Sequence, residues 1–273
     1  MRIDRDSWNE IITVLMRNKT RSLLTAFGIF WGIFMWVLLM GGGRGLEQML
    51  GNNFKGFATN SAFFVTDRTA EPYAGFREGR TWSLNLPDLE QVRRQVDGAE
   101  VVTPIIMSWS NTGIRGMDGR TSDGMLRGIH ADLYRLESVS LRYGRPISAM
   151  DVAQNRRVCV IGAHIYDELF PRGGNPCRTF INANGVYYQI IGVVNDDSNI
   201  SIGGNPATTV SVPYTTLQRV TNRGNEFDML ALMARPGHSV ADLGRQVEYI
   251  LKQRHQIAPT DKQAVVFINL EAM

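Results

Sequence analysis

Few residues of this sequence fall into patterns that perform chemistry. The four histidines, His130, His164, His238 and His255, lie at spacings that match no H-E-x-x-H or other metal-ligand pair. The serines lack the G-x-S-x-G setting of a catalytic nucleophile. We therefore expect no catalytic residue in this chain, and we interpret the histidines as solvated or core side chains.

Phosphate and cation sites are equally weakly indicated. No G-x-x-x-x-G-K-[ST] loop occurs, and Gly173-Gly174-Asn175-Pro176 lacks both the lysine and the helix start that bind phosphate. The chain is thus not expected to hydrolyse ATP itself or to hold a cofactor. Asp196-Asp197 stands in a polar loop, where a cation site is conceivable but two solvated carboxylates are the more common outcome.

One motif does have a clear physical role. Gly28-Ile29-Phe30-Trp31-Gly32 is a G-x-x-x-G motif within an apolar stretch, where two small residues let a second helix approach closely. We predict that Gly28 and Gly32 form a contact with another transmembrane helix. The alternative is a glycine pair that faces lipid.

The element that positions these glycines is a run from Ser22 to Gly43 without a charged residue. A helix of this length spans roughly 33 Å, which is enough to cross a hydrocarbon core of about 30 Å. Its apolar residues lie on every side, whereas a surface helix of a soluble protein has a polar face. The run predicts a transmembrane helix, in preference to a buried soluble helix or a cleaved signal, whose apolar region is shorter.

Basic residues are concentrated before this run and predict its orientation. Arg44 and Lys55 are the only basic residues close behind it, while the residues that precede it include Arg2, Arg5, Arg17, Lys19 and Arg21. The positive-inside rule places the N-terminus in the cytoplasm. Everything after Gly43 is then extracytoplasmic, and the chain crosses the membrane in a single pass.

The first 21 residues have an amphipathic pattern. Ser7-Trp8-Asn9-Glu10 has the form of a capping box, and an apolar stripe with a basic end follows at helical spacing. Such a helix lies in the membrane interface or packs on a partner subunit, and the pattern fits both. The interface residues are Trp8, Ile11, Ile12, Leu15, Met16, Arg17, Lys19 and Arg21.

Composition limits the remaining possibilities. The net charge is +3, and basic residues are scattered among acidic ones, so nucleic acid is not an expected partner. There are two cysteines: Cys159 lies in an apolar run, and Cys177 lies in a turn-like segment. They would be able to pair in an oxidising compartment, but a buried cysteine more often serves as a small hydrophobic residue.

Two β-α-β units are predicted after the apolar run. The helical pattern first continues over 44–56 as a stalk, and the first unit then comprises a strand at 62–66, a helix at 86–96 and a strand at 99–109. The second comprises a strand at 226–234, a helix at 240–254 and a strand at 264–269. Units this far apart indicate a split α+β domain with an insertion between them.

The predicted insertion, over 133–220, contains short β-rich runs bounded by Gly, Pro and Asn. Strands are expected at 158–161, 179–182, 187–194 and 209–213, with a short helix at 164–170. The insertion is therefore expected to form a small β-rich subdomain.

Several segments resemble the MacB-like (FtsX-related) permeases of ABC transporters. Asn18-Lys19-Thr20-Arg21-Ser22-Leu23-Leu24-Thr25 is similar to the basic turn that opens their first span. Arg157-Val158-Cys159-Val160-Ile161-Gly162, with Tyr166-Asp167-Glu168-Leu169-Phe170, resembles a strand and helix before the family's N-P-x-G-K turn. That turn is here Asn175-Pro176-Cys177-Arg178-Thr179, which departs from the family pattern at Cys177-Arg178. Similar strands follow at 184–194 and 212–218.

The resemblance implies a membrane-anchored α+β chain: one transmembrane helix, then a periplasmic domain of two β-α-β units, porter-like, interrupted by a β-rich insert. The implied segments are an elbow helix at 1–21, a transmembrane helix at 22–43, a stalk at 44–56, a porter-like first half at 57–132, the insert at 133–220 and a second half at 221–273. Since no second long apolar run follows, the chain is expected to be the N-terminal part of a four-span permease.

The resemblance also implies partners. These are a separate ABC ATPase subunit, a second permease copy in a homodimer, a periplasmic adaptor protein and the lipid bilayer. The expected function is to couple ATP hydrolysis on the ATPase to a periplasmic conformational change, for export or mechanotransmission. The alternatives are a single-pass anchored binding or sensor module and, less favoured, an enzyme with an unrecognised site.

Overall fold

The structure is a computed structural model that describes residues 19–53, 60–108, 112–137, 139–195 and 204–271. The chain divides into two compact units, one ending at Asn52 and one beginning at Asn53. The amphipathic helix predicted over 1–21 lies outside the described residues as far as residue 18.

The first unit contains helix α1, Lys19–Asn53. It is continuous through the predicted span and through the predicted stalk as far as Asn53. Its segment Ser22–Gly42 is long and apolar enough to cross a membrane, and none of that apolar stretch is buried within the chain. The prediction of one N-terminal apolar helix is confirmed.

The second unit is built on a four-stranded antiparallel sheet. Its chain order is β1 (Ser61–Thr66), the short β2 (Leu84–Asn85), α2 (Leu86–Gln95) and β3 (Ala99–Met107) in the first half. The second half has β11 (Glu226–Phe227), β12 (Met229–Ala234), α7 (Val240–Arg254) and β13 (Val265–Asn269). The strand order β3–β12–β1–β13 is that of a split β-α-β fold of the ferredoxin-like type.

Local sequence explains where the two helices begin and how closely they pack. Asn85 caps α2 in a reciprocal capping box with Asp88, and Pro87 stands in the first turn, where its missing N–H costs nothing. Helix α7 buries an apolar stripe that includes Val247 and Leu251. An added Cβ at Gly244 would lie 2.3 Å from the ring of Phe267, so α7 depends on glycine to approach β13.

The remaining strands form a ring. They are β4 (Thr112–Gly116), β5 (Thr121–Ile129), β7 (Val158–Ile161), β8 (Phe180–Ala183), β9 (Val186–Val194) and β10 (Thr209–Pro213). Each pairs with its neighbours in the closed order β5–β4–β8–β9–β7–β10–β5. The outer strand β6 (Leu141–Gly144) pairs with β9. A closed ring leaves few unpaired strand edges.

Four short helices accompany the ring: α3 (Leu133–Leu136), α4 (Ala149–Ala153), α5 (Ala163–Leu169) and α6 (Tyr214–Val220). Helix α5 contributes Ile165, Tyr166 and Leu169 to the main buried cluster, which also includes Leu89 of α2. The same apolar core thus runs from the ring into the four-stranded sheet.

The ring and the four-stranded sheet are continuous through β3 and β5, which pair from Ile105↔Ile129 to Met107↔Arg127. The predicted partition placed β4 and β5 in the porter-like first half. In the structure both strands belong to the ring, since β4 also pairs with β8, where Ile114 lies opposite Ala183. The partition at 57–132, 133–220 and 221–273 stays a prediction, since the whole region behaves as one compact unit.

One smaller expectation differs from the structure, and the one about the cysteines agrees with it. The strand predicted over 226–234 is broken at Asp228, because its carboxylate accepts a hydrogen bond from Met107 N at 2.7 Å and is held by Arg223. Cys159 and Cys177 are both free thiols. Burial raises the pKa of the Cys159 thiol well above its usual range, so it serves as an apolar core residue.

Candidate functional site

Titratable side chains in the described parts of the chain meet mainly in ion pairs. No group of three or more His, Cys, Asp or Glu residues there is placed to hold a metal ion. His130 lies 3.0 Å from Asp132, and His164 lies 3.2 Å from Glu168, each in a different part of the domain. The loop with Asp196-Asp197 is outside the described residues, so its role stays a prediction.

The glycine motif lies on the exposed surface of α1. A Cβ added at Gly28 or Gly32 would meet no heavy atom within 4 Å. The described part of the chain therefore gives no steric reason for glycine at either position. That they contact a second helix stays a prediction.

An aromatic row flanks the glycine pair. Phe27 stacks on Trp31 at a centroid distance of 6.1 Å, and Trp31 lies 5.6 Å from Phe34. At about 100° per residue, these rings lie to one side of the helix face that carries the two glycines. A narrow strip beside a row of bulky rings would allow another helix to approach closely and to fit in one rotational position.

Little of the predicted membrane-interface set is visible. Lys19 begins α1 and is exposed, and Arg21 is in its first turns. The other six residues, Trp8 to Arg17 of that set, lie outside the described residues. The interface therefore stays a prediction.

In the second unit, one buried carboxylate joins the two helices. Asp88 at the start of α2 is fully buried and accepts a hydrogen bond from Arg254 Nε at 2.7 Å. Its other oxygen lies 2.8 Å from His255 Nε2. Burial alone would raise the pKa of Asp88, but hydrogen bonds from His255 and Arg254 outweigh it and lower that pKa. The end of α7 is thus tied to the beginning of α2.

A second buried ion pair ties the ring to its neighbouring helix. Arg127 of β5 contacts both oxygens of Glu137, which follows α3, at 2.8 and 3.1 Å. Their side chains are 3 % and 0 % exposed. Burial raises the pKa of Glu137, while the guanidinium of Arg127 acts in the opposite direction. The same guanidinium lies 3.4 Å from Ser211 Oγ of β10, so three elements meet at one charge.

A third joint lies where the four-stranded sheet meets the ring. Arg223 holds Asp228 through both carboxylate oxygens, and Asp228 in turn accepts from the backbone of Met107. Together the three joints link helices, sheet and ring within one compact unit.

Sequence reasoning missed all three joints. Asp88 and His255 are 167 residues apart, and Met107 and Asp228 are 121 apart. Only the role of Asp88 as a capping residue has a local signal, in Asn85-Leu86-Pro87-Asp88. Its partners on α7 have none.

The profile of the MacB-like periplasmic core domain matches residues 22–250 of the chain. Among curated proteins, the macrolide export ATP-binding/permease protein MacB of Mannheimia succiniciproducens is 26% identical over 244 residues, covering 89% of this chain and 36% of that protein. The probable syringafactin export ATP-binding/permease protein SyfD of Pseudomonas syringae pv. tomato is 24% identical over 255 residues, covering 92% and 36%. The chain thus spans about a third of the length of these relatives.

Solved structures show the same fold. The periplasmic region of MacB from Actinobacillus actinomycetemcomitans superposes with a TM-score of 0.63 at 19% identity, covering 81% of this chain and 93% of that one. The extracellular domain of the noncanonic ABC-type transporter YknZ from Gram-positive bacteria gives 0.61 at 17% identity, covering 77% and 100%. With an apolar helix followed by this mixed α/β domain, and a family match over most of its length, the chain belongs to the MacB-like periplasmic core domain family of ABC-transporter permeases.

Proposed function

We propose that this chain is the membrane and periplasmic part of an ABC permease that converts ATP hydrolysis on a separate ATPase subunit into a periplasmic conformational change. The observation that carries the proposal is the set of three joints, which link helices, sheet and ring within one compact unit. A domain linked in this way passes on a displacement applied at one end. Export and mechanical signalling both use that property.

We propose that the energy source lies outside these 273 residues. The chain has no phosphate-binding loop, and the names of MacB and SyfD pair ATP binding with permease function. We place the ATPase on a separate subunit and expect a homodimer, in which Gly28 and Gly32 face a neighbouring transmembrane helix. A periplasmic adaptor protein is the further partner that we propose.

The proposed location is the inner membrane, with the N-terminus in the cytoplasm and the second unit in the periplasm. Reporter fusions after Arg21 and after Ala234 test this directly, with alkaline phosphatase active only outside the cytoplasm. Phosphatase activity is expected for the second fusion alone. The same activity at both positions would refute the orientation.

The coupling itself is testable with distance measurements. Met117, in the turn between β4 and β5, is 69% exposed and suits a spin label after replacement by cysteine. Cys177 is partly exposed and is first replaced by serine, whereas buried Cys159 is kept. The labelled full-length permease is reconstituted with its ATPase in nanodiscs, and the label-to-label distance across the homodimer is measured by pulsed electron resonance.

We expect this distance to change between the nucleotide-free state and the state trapped with ATP and vanadate. An ATPase without its catalytic glutamate serves as a second trapped state, and an ATPase without its phosphate-loop lysine serves as the control that shows no change. Identical distances in all states would favour the rival function, an anchored binding or sensor module that needs no ATPase.

A further inference from the structure

A groove lies on the second unit between α7 and a tight turn at Tyr73–Phe76. Its volume is about 560 Å³, within the range of pockets that hold small ligands. Its lining includes Tyr73, Arg245, Glu248, Tyr249, Lys252 and Ile257. No part of the proposed permease cycle uses this groove.

The wall that carries Tyr73 is fixed in place. Tyr73 and Phe76 exchange two backbone hydrogen bonds, of 3.1 and 2.9 Å, around a two-residue turn. Ala74 takes a φ of 51° and Gly75 a φ of 86°, the pair of positive values that a tight two-residue hairpin turn requires.

Two buried contacts hold the base of the same loop. The carboxylate of Asp261, itself fully buried, accepts hydrogen bonds from the backbone of Ala70 at 2.8 Å and Glu71 at 3.3 Å. Arg80 donates to the carbonyl oxygens of His255 and Gln256 at the end of α7, and its guanidinium covers the Phe76 ring at 4.2 Å. The loop and α7 therefore keep the groove open without a ligand.

The rings in the groove are available to a ligand. Tyr73 is 45% exposed and Tyr249 is 62% exposed. Half-exposed tyrosines supply apolar contact area at a low cost in side-chain entropy, with a hydroxyl at the tip for a polar contact.

Lys252 gives the groove its charge preference. Its side chain is only 10% exposed, yet its sole ionic partner in the described part of the chain is Glu248, at 3.9 Å. The stem of Lys252 is buried, while its ammonium group keeps contact with solvent in the groove beside Glu248. A ligand oxygen that carries negative charge would meet this positive group at the wall of the groove.

We propose that this groove binds a small ligand that carries a carboxylate beside an aromatic or apolar group, such as the C-terminal end of a short peptide. The carboxylate contacts Lys252, and the apolar group lies between Tyr73 and Tyr249. Glu248 weakens the site by its like charge and so limits its affinity.

Isothermal titration of the full chain in nanodiscs tests the proposal with defined probes. These are N-acetyl-phenylalanyl-glycine with a free carboxylate, the same dipeptide as its C-terminal amide, and N-acetyl-alanyl-glycine. The free carboxylate is expected to bind about tenfold more tightly than the amide, the size of one charge-assisted hydrogen bond. The alanyl probe is expected to bind more weakly than the phenylalanyl one.

Four variants separate the parts of the site. Lys252→Met should remove the preference for carboxylate over amide, while Lys262→Met, which removes an exposed lysine outside the groove, should keep it. Tyr249→Ala should weaken both phenylalanyl probes. Glu248→Gln should tighten the carboxylate probe alone, a gain that partial unfolding does not produce.

The proposal is overturned if neither phenylalanyl probe binds, or if wild-type protein binds carboxylate and amide equally. It is also overturned if Glu248→Gln leaves carboxylate affinity unchanged. If Lys252→Met shows no cooperative thermal unfolding transition, the variant is not folded, and the carboxylate affinity of Glu248→Gln alone then tests the proposal.

Discussion

The two units of this chain differ in whether their large apolar side chains are buried. In α1, large apolar residues are exposed along the whole apolar stretch, among them Leu23 at 72% and Trp36 at 62%. In the second unit, Phe63 and Phe64 on adjacent positions of β1 are both fully buried, one on each face of the sheet. The helix needs an environment that the chain does not provide, whereas the domain provides its own.

Glycine shows the same contrast at single-residue scale. Around Gly28 there is nothing within 4 Å of an added Cβ, while at Gly144 that atom would lie 2.0 Å from Ile191 O. At Gly28 the described residues impose no steric requirement for glycine, whereas at Gly144 the fold does.

The largest expected loss of stability follows from breaking the buried pair in the domain. Glu137→Gln keeps the shape of the side chain but leaves the Arg127 guanidinium buried without a counter-charge, so the unfolding free energy should fall by about 3–5 kcal/mol. Urea unfolding followed by circular dichroism measures it. Glu100→Gln, which breaks the more exposed pair with Arg135, is the control and should cost under about 1 kcal/mol. Equal losses of stability for the two variants would show that burial does not determine how much an ion pair contributes.

Gly144→Ala should have the next largest effect. Gly144 has a φ of 76°, and a methyl group there would meet Ile191 O and Cys177 Sγ, so we expect a loss of about 2–4 kcal/mol from strain and overpacking together. Gly113→Ala is the matched control, because its added Cβ meets nothing within 4 Å. A Gly144→Ala protein as stable as wild type would contradict the close approach of β6 and β9.

Acid should weaken the joint between α2 and α7. The pKa of Asp88 is lowered in the folded state, so its stabilisation is present above the unfolded-state pKa, near 4, and is lost as pH falls below that value. Asp88→Asn should therefore lower stability at pH 7 by about 1.5–3 kcal/mol and flatten the decline between pH 4 and 2. Urea midpoints across this pH range test it, with exposed Asp97→Asn as the control. If the stability of Asp88→Asn falls between pH 4 and 2 as much as that of wild type, other carboxylates cause the acid sensitivity.

In α1 the expected effect moves from stability to association. Gly28→Ile and Gly32→Ile should leave domain unfolding within about 0.5 kcal/mol of wild type. Helix association should weaken about tenfold, with loss of ATP-coupled activity at normal insertion and expression. Val37→Ile adds its methyl group on the opposite side of the helix and should change neither. Full activity in both glycine variants would mean that the glycines face lipid.

The smallest effect is expected from removing the helix altogether. A truncated chain that begins at residue 57 should keep the urea midpoint of the full chain, since the second unit contains its own core. Circular dichroism without a cooperative transition would show that the domain depends on α1.

Local signals predicted much of the fold. The apolar stripe of α7 and the capping residues around Asn85 gave helices close to those observed, because caps and periodicity act within a few residues. The hairpin of β4 and β5 was missed, although Asp118-Gly119 is a turn signal and Gly119 has a φ of 86°. Its strands contain glycine and charged residues, which conceal the alternating pattern.

The site was less accessible to sequence reasoning. Gly28 and Gly32 form a short motif that is visible in the sequence, but an added Cβ at either would meet no described atom within 4 Å, so their contact with a second helix stays a prediction. Lys252 and Tyr73 are neighbours only because Arg80 and Asp261 hold one loop against α7, through bonds that span more than 170 residues. Pairings of that range are set by the whole fold and leave no local pattern.

The pairing of β3 with β12 has a consequence for the residues between the two strands. Met229 lies opposite Ile105, so residues 108–228 occupy the place of a simple hairpin loop. The cost of closing a loop rises only slowly with its length, so an entire folded ring is tolerated there. Only three residue pairs, between β3 and β5, join the ring to the inner sheet by strand pairing. A change within residues 108–228 is thus compatible with an unchanged register of the two β-α-β units.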